Sequence, residues 1–241
     1  ELSQKFNSVC PFYDEVIELV KEGKISESRI DDLVYPILFY KFKLGLFENP
    51  FVDIKLADET LLTEKHQQLA LEAARKAIVL LENKNNLLPL TKDKKRIFIT
   101  GPNADNQTIL GDWAHPQPEE NITTVVEGLL KVAPEVEFDY YNCGGIFEIK
   151  EKEINEAVAR AKKTDIAILV VGENSLRHTN DKTCGENVDR SDIALPGNQQ
   201  ILVEEIYKTG KPLVVVLVNG RPLGIEWISE NIPAVIESWE P

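Results

Sequence analysis

Residues 166–172 read Ile-Ala-Ile-Leu-Val-Val-Gly, and none of them carries a polar side chain. A strand with one face in water alternates apolar and polar side chains, because successive side chains point to opposite faces. An unbroken apolar run of strand length therefore needs cover on both faces, the condition of a parallel sheet between two layers of helices. Further strands are expected at 96–100, 136–141 and 212–218, with another beginning at Ala234-Val235-Ile236. Helices are expected between them, near 122–132, 150–163, 197–209 and 223–230. Crossovers of that length suit βαβ units. The expected fold class is α/β, a three-layer α/β/α sandwich with a mostly parallel sheet.

The first third of the chain has a different pattern. Phe12, Val16, Ile17, Leu19 and Val20 predict an amphipathic helix over 12–22 that Gly23 ends. Ser26 is a good N-cap for a second helix carrying Ile30, Leu33, Val34, Ile37, Leu38 and Phe42, which Gly45 ends. Pro36 falls inside that helix and is expected to kink it or shift its start. Residues 52–60 are polar and aperiodic and read as a linker. A long helix is expected from about Thr63, with His66, Leu69, Ala70, Ala73, Ala77, Leu80 and Leu81 on its apolar face and Asn83-Lys84-Asn85-Asn86 as its stop.

Composition excludes some functions. The formal net charge is −13, and a phosphate backbone would be repelled by such a surface, so nucleic acid is not expected as a partner. The basic run Lys92-Asp93-Lys94-Lys95-Arg96 reads as a solvated turn before a strand. No apolar run approaches the roughly 20 residues of a membrane span. Cys10, Cys143 and Cys184 are far apart and lack CxxC spacing, and His66, His115 and His178 form no paired ligand pattern. Neither a metal site nor a disulfide framework is expected, and no cofactor. The chain opens on Glu1-Leu2-Ser3-Gln4 without Met or a signal pattern, so both ends read as boundaries within a longer protein.

In an open parallel sheet, ligands bind at the carboxyl ends of the strands. The loops to inspect are 101–121, 142–149, 172–197 and 219–223. The third far exceeds the usual βα connection of about 2–6 residues, and loops of that length are usually functional or disordered. Its densest polar cluster is Gly185-Glu186-Asn187-Val188-Asp189-Arg190. A carboxyl on such a loop suits general acid/base work, although composition alone reads Glu186 as a solvated side chain. Arg190 could pair with Glu173, Asp189 or Asp192. Gly111-Asp112-Trp113 is the second cluster: a loop Trp can stack on a sugar face or pack into a core. Gly101-Pro102-Asn103-Ala104-Asp105 lacks the lysine of a phosphate loop.

Several of these stretches together resemble glycoside hydrolase family 3. Residues 19–25 and 41–50 are similar to the end of that family's catalytic barrel. Ile78-Val79-Leu80-Leu81-Glu82-Asn83 and Leu87-Leu88-Pro89-Leu90 are similar to the opening of its second domain. Gly101-Pro102-Asn103-Ala104-Asp105, Asp192-Ile193-Ala194-Leu195-Pro196-Gly197-Asn198-Gln199-Gln200, Gly210-Lys211-Pro212 and Asn219-Gly220-Arg221-Pro222-Leu223 follow in the family's order. The closest flavour is the bacterial β-glucosidase and β-xylosidase group. The resemblance implies a barrel end over 1–51, a linker over 52–62 and an α/β sandwich over 63–241 that stops short of the family's full domain.

It also implies a retaining β-glycosidase acting on terminal non-reducing β-linked sugars, with an aspartate nucleophile on the barrel and a glutamate acid/base on a second-domain loop. Glu186 aligns with that acid/base, four residues before Arg190, and Glu173 is the fallback. Trp113 resembles the tryptophan that flanks the leaving-group sugar, with Asp112 and Arg190 as further substrate-binding candidates. The family's Ser-Asp-Trp or Thr-Asp-Trp nucleophile stretch lies upstream of all these residues, so the chain alone is expected to be inactive. The expected partners are a β-glycoside substrate and a barrel domain of the same polypeptide, with no membrane, and the family's habits point to the periplasm or the exterior. Two alternatives remain: a non-catalytic carbohydrate-binding or assembly module, and a phosphorolytic enzyme, for which His178 lies in the same loop as Glu186.

Overall fold

The computed structural model describes residues 11–91 and 96–241. The basic run at 92–95 and Cys10 lie outside the described residues. The chain divides into two compact units at Gln67/Gln68. The first contains α1 (Pro11–Lys21), α2 (Glu27–Lys43), α3 (Ile54–Thr60) and the start of α4 (Glu64–Ala77). Ser26 caps α2, its hydroxyl accepting from the Arg29 N–H. That cap fixes the start, and the helix continues through Pro36, whose missing N–H removes one backbone bond. Gly45 ends it in the left-handed conformation, with Leu46 N donating to Lys41 O. The stretch expected as an aperiodic linker contains α3, because Asp53 caps it and accepts from the N–H groups of Lys55 and Leu56. The apolar side chains of α2 from Leu33 to Phe42 are exposed, Tyr35 stacking on Phe39 at 6.0 Å, and Ile30 is half-buried.

The second unit is a six-stranded sheet: β1 (Val79–Asn83), β2 (Arg96–Thr100), β3 (Glu137–Tyr141), β4 (Ile166–Gly172), β5 (Leu213–Val218) and β6 (Ala234–Glu237). The spatial order is β1-β6-β5-β4-β2-β3. All neighbours are parallel except β1, which lies antiparallel along β6. The crossover helices are α5 (Val125–Val132), α6 (Glu151–Ala161), α7 (Gln199–Tyr207) and α8 (Glu226–Asn231).

The apolar run in β4 serves two cores at once. Ala167, Leu169 and Val171 join Phe98, Leu202, Ile206, Leu217 and Ile228 on the α6–α7–α8 side. Ile166, Ile168 and Val170 join Ile97, Ile99 and Val126 on the α5 side. At about 25 cal/mol per Å2 of apolar surface buried, these two layers supply most of the favourable free energy of the domain.

The expected long helix is shorter than its periodicity suggests. It stops at Ala77, and Leu80 and Leu81 belong to β1 instead. The β-branched pair Ile78-Val79 favours an extended chain, and β6 offers an unpaired edge for it. Asn83-Lys84-Asn85-Asn86 turns the chain after β1 rather than after a helix. Asn85 and Asn86 take positive φ, and the Asn83 side chain both donates to and accepts from the Leu88 backbone. Among the described residues no helix is long and apolar enough to cross a membrane.

Candidate functional site

From β2 the chain moves outward to β3, then returns across β2 to β4, β5 and β6. The direction therefore reverses between β2 and β4, and the loops leaving their carboxyl ends diverge around a crevice, the place where open α/β sheets bind ligands. Close backbone approach builds this point. A Cβ on Gly101, which has φ +118°, would lie 2.0 Å from Val170 O, so the turn after β2 accepts only glycine. Asn103 N donates to Val170 O and Asn103 Nδ2 to Glu173 O, stitching the β2 loop to the β4 loop.

The segment Asp192 to Gln200 anchors the far end of the long loop. Gln199 is buried, accepts from Gly172 N, and donates to the carbonyls of Gly172 and Ile146. Asn198 pairs with both backbone groups of Ile149. This part of the sequence pattern holds loops together.

Asp112, at 12% side-chain exposure, is the centre of the crevice cluster. Lys182 Nζ donates to Oδ1 at 2.7 Å and the Glu186 N–H to Oδ2 at 2.6 Å, while Arg177 Nε lies 3.3 Å from Oδ1. Burial by itself would raise the Asp112 pKa. The Lys182 ammonium, the Glu186 N–H and the Arg177 charge outweigh it and leave the carboxyl below its ordinary value. Gly185 lets the loop come this close: it has φ +93°, and a Cβ there would lie 2.8 Å from the Asp112 carboxyl.

Glu186 itself is 35% exposed at its side chain and ion-pairs with Arg177. The Arg177 guanidinium lies over the Trp113 ring, 3.6 Å from its centroid, and Trp113 remains 71% exposed. Asp112, Trp113 and Glu186 are thus brought together, as the sequence suggested, by two residues it did not single out, Arg177 and Lys182. Their signal was present as cations in the long loop that carries Glu186, but charge alone does not say which side chain turns inward.

Glu173 has a different environment. Its side chain is 0% exposed, and Oε1 accepts from Arg190 Nη2 at 3.0 Å and Arg221 Nη2 at 3.1 Å. Oε2 is buried without a hydrogen bond. A carboxyl enclosed in this way joins the two ends of the long loop to the β5 loop and presents nothing to a substrate. Arg190 completes the clamp through a bond to Ala194 O, so two of its donors are committed to structure. Cys184 lies beside this clamp as a free, buried thiol, its pKa pushed up to about 11 by burial first and by Glu173 next. Cys143 is likewise free and buried. His178 is exposed.

Glu240 also enters the cluster, hydrogen-bonded to Ser175. Burial raises its pKa, the Ser175 bond lowers it, and the charges of Asp112 and Glu173 push it up further. Nothing in its sequence neighbourhood separates it from an ordinary surface glutamate.

An α/β/α domain with loop carboxyls and an exposed aromatic ring at its switch point matches known proteins closely. The sequence profile of the glycosyl hydrolase family 3 C-terminal domain matches residues 78–241. The chain belongs to glycoside hydrolase family 3. It is 41% identical over 219 residues to a β-xylosidase of Formosa agariphila, a match covering 87% of this chain and 29% of that protein. It is 30% identical to the periplasmic β-glucosidase of Salmonella typhimurium over 92% of this chain and 32% of that protein. A β-glucosidase from Listeria innocua in complex with glucose superposes with a TM-score of 0.83 at 31% identity, over 97% of this chain and 31% of that one. The chain thus spans about a third of the length of these relatives.

Proposed function

We propose that these residues form the acid/base-bearing part of a retaining β-glycosidase, a β-glucosidase or β-xylosidase that removes terminal non-reducing sugars. The observation that carries this reading is the contrast between the two candidate glutamates. Glu186 sits partly exposed on a switch-point loop near an open tryptophan face, whereas Glu173 is sealed between two guanidinium groups. The relatives are named β-xylosidase and β-glucosidase, which supports the reaction class.

In this reading Glu186 gives its proton to the glycosidic oxygen as the C–O bond to the leaving group breaks. The nucleophile, a carboxylate from a barrel domain outside these residues, forms an ester with the anomeric carbon. Glu186, now ionised, takes a proton from water, whose oxygen displaces the ester and leaves the anomeric configuration retained. Retaining enzymes hold the two carboxyls about 5–5.5 Å apart. Trp113 offers an apolar face to the leaving-group sugar. Residues 1–51 would be the end of that barrel, 52–62 the linker and 63–241 the sandwich, and the periplasmic relative supports an exported location.

The test uses the full-length enzyme carrying Glu186→Gly, assayed on an aryl β-glycoside with a good leaving group. Azide is expected to accelerate turnover and yield a β-glycosyl azide, and the 241-residue chain alone serves as an inactive control. Full activity of the variant on poor leaving groups would exclude Glu186. One observation favours a second reading, a non-catalytic carbohydrate-binding module: Trp113 is open while Glu186 is already paired with a cation. Saturable sugar binding by the chain that needs Trp113 but not Glu186 would establish it.

A further inference from the structure

The Arg177 side chain touches Asp112, Trp113 and Glu186 together. Its guanidinium lies over the Trp113 ring, with Cζ 3.6 Å from the centroid. Its edges point to carboxylates: Nε is 3.3 Å from Asp112 Oδ1, and Nη2 pairs with Glu186 Oε2. A guanidinium can stack through its plane and hydrogen-bond through its edge at once, which an ammonium cannot. Because Arg177 covers one face of the ring and Trp113 is still 71% exposed, another face stays open to a ligand. Among the described residues, the charged groups around Glu186 include Arg177 and Lys182 from its own loop and Asp112 from the β2 loop. Lys182 bonds to Asp112 and to the Glu186 carbonyl, so Arg177 is the cation paired with the Glu186 carboxyl in the contacts described above.

We propose that Arg177 is a positioning residue that sets Trp113 and Glu186 in fixed relation and holds Glu186 in its ionised form between proton transfers. The inference rests on Glu186 as acid/base and Trp113 as sugar platform. The two half-reactions make opposite demands: bond cleavage needs Glu186 protonated, and activation of water needs it ionised. A guanidinium against the carboxyl favours the ionised form. It therefore assists the second step at the expense of the first, and a sugar entering against Trp113 meets a ring already braced from behind.

The two contributions are separable in the full-length enzyme. Arg177→Met keeps length and an apolar contact on the ring but removes the charge. Arg177→Lys keeps the charge but cannot stack and fork together. For Arg177→Met, the alkaline limb of the kcat/KM profile is expected to move up by about one pH unit with little change in KM. For Arg177→Lys, the limb is expected to stay, while KM for an unsubstituted β-linked disaccharide rises about two- to five-fold, the worth of one exposed cation–π contact. Arg177 is partly exposed, so both variants should keep the parent Tm. Equal loss in both variants with unchanged pH profiles, or no change in either, overturns the inference. Azide rescue of Glu186→Gly in the same preparation distinguishes the cases. With rescue, only the role of Arg177 falls; without it, the acid/base reading falls and the inference goes with it.

Discussion

Replacing Asp112 by Ala should loosen the long loop without unfolding the domain. Asp112 accepts from the Lys182 ammonium at 2.7 Å and from the Glu186 N–H at 2.6 Å, with Arg177 Nε 3.3 Å away. Hydrogen bonds to charged groups contribute about 1.5–3 kcal/mol each, and removing one partner of a buried ion pair costs about 3–5 kcal/mol. The cluster is only partly buried and its freed cations can reach water, so a combined loss of about 2–3 kcal/mol is expected for the closed loop. At 1.36 kcal/mol per factor of ten, the open population rises about 30- to 150-fold. Amide hydrogen exchange reads this directly in the 241-residue chain. The reporter is Thr183 N–H, which donates to Asn174 O at 2.7 Å and does not touch Asp112. Its exchange should accelerate by that factor while core amides such as that of Leu169 keep their rates. Unchanged exchange at Thr183, or acceleration throughout the sheet, would refute the assignment of Asp112 as the local clamp of the loop.

Two further outcomes follow from buried carboxyls. Glu173→Gln leaves two partly buried guanidinium groups facing a neutral amide, at a cost of about 3 kcal/mol; scanning calorimetry should show a fall of roughly 6–10 °C in Tm, and a change under 2 °C would mean that the clamp carries little. Burial raises the Glu237 pKa against the opposing bonds from Trp239 N and Asn219 Nδ2. A raised carboxyl pKa gives stability that is complete below the unfolded value of about 4.3 and is lost as pH rises through the folded value. Glu237→Gln should therefore flatten the decline in stability above pH 4.3 in denaturant titrations, and an unaltered slope would rule out Glu237 as its source.

The sheet could be read from sequence because its signal is local. A run such as 166–172 has no polar side chain for water on either face, and that alone demands helices above and below it. The ends of the parallel strands fell within a residue or so of expectation. Leu80 and Leu81 did not follow, because their helical spacing and their strand propensity compete within the same few residues. The unpaired edge of β6, more than 150 residues away, decides the outcome.

The same division holds at the site. Glu186, Asp112 and Trp113 could be proposed from motif and loop position. Sequence ranked Glu186 ahead of Glu173 by its alignment with the family pattern, but it gave no physical difference between two carboxyls of one loop. The tertiary structure supplies that difference, by enclosing Glu173 between Arg190 and Arg221 and leaving Glu186 at the crevice. Arg177, Lys182 and Glu240 belong to the cluster for the same reason: their meeting depends on where the chain reverses between β2 and β4. Sequence determines which side chains are apolar enough to need cover, and the order in which strands assemble determines which charges then face one another.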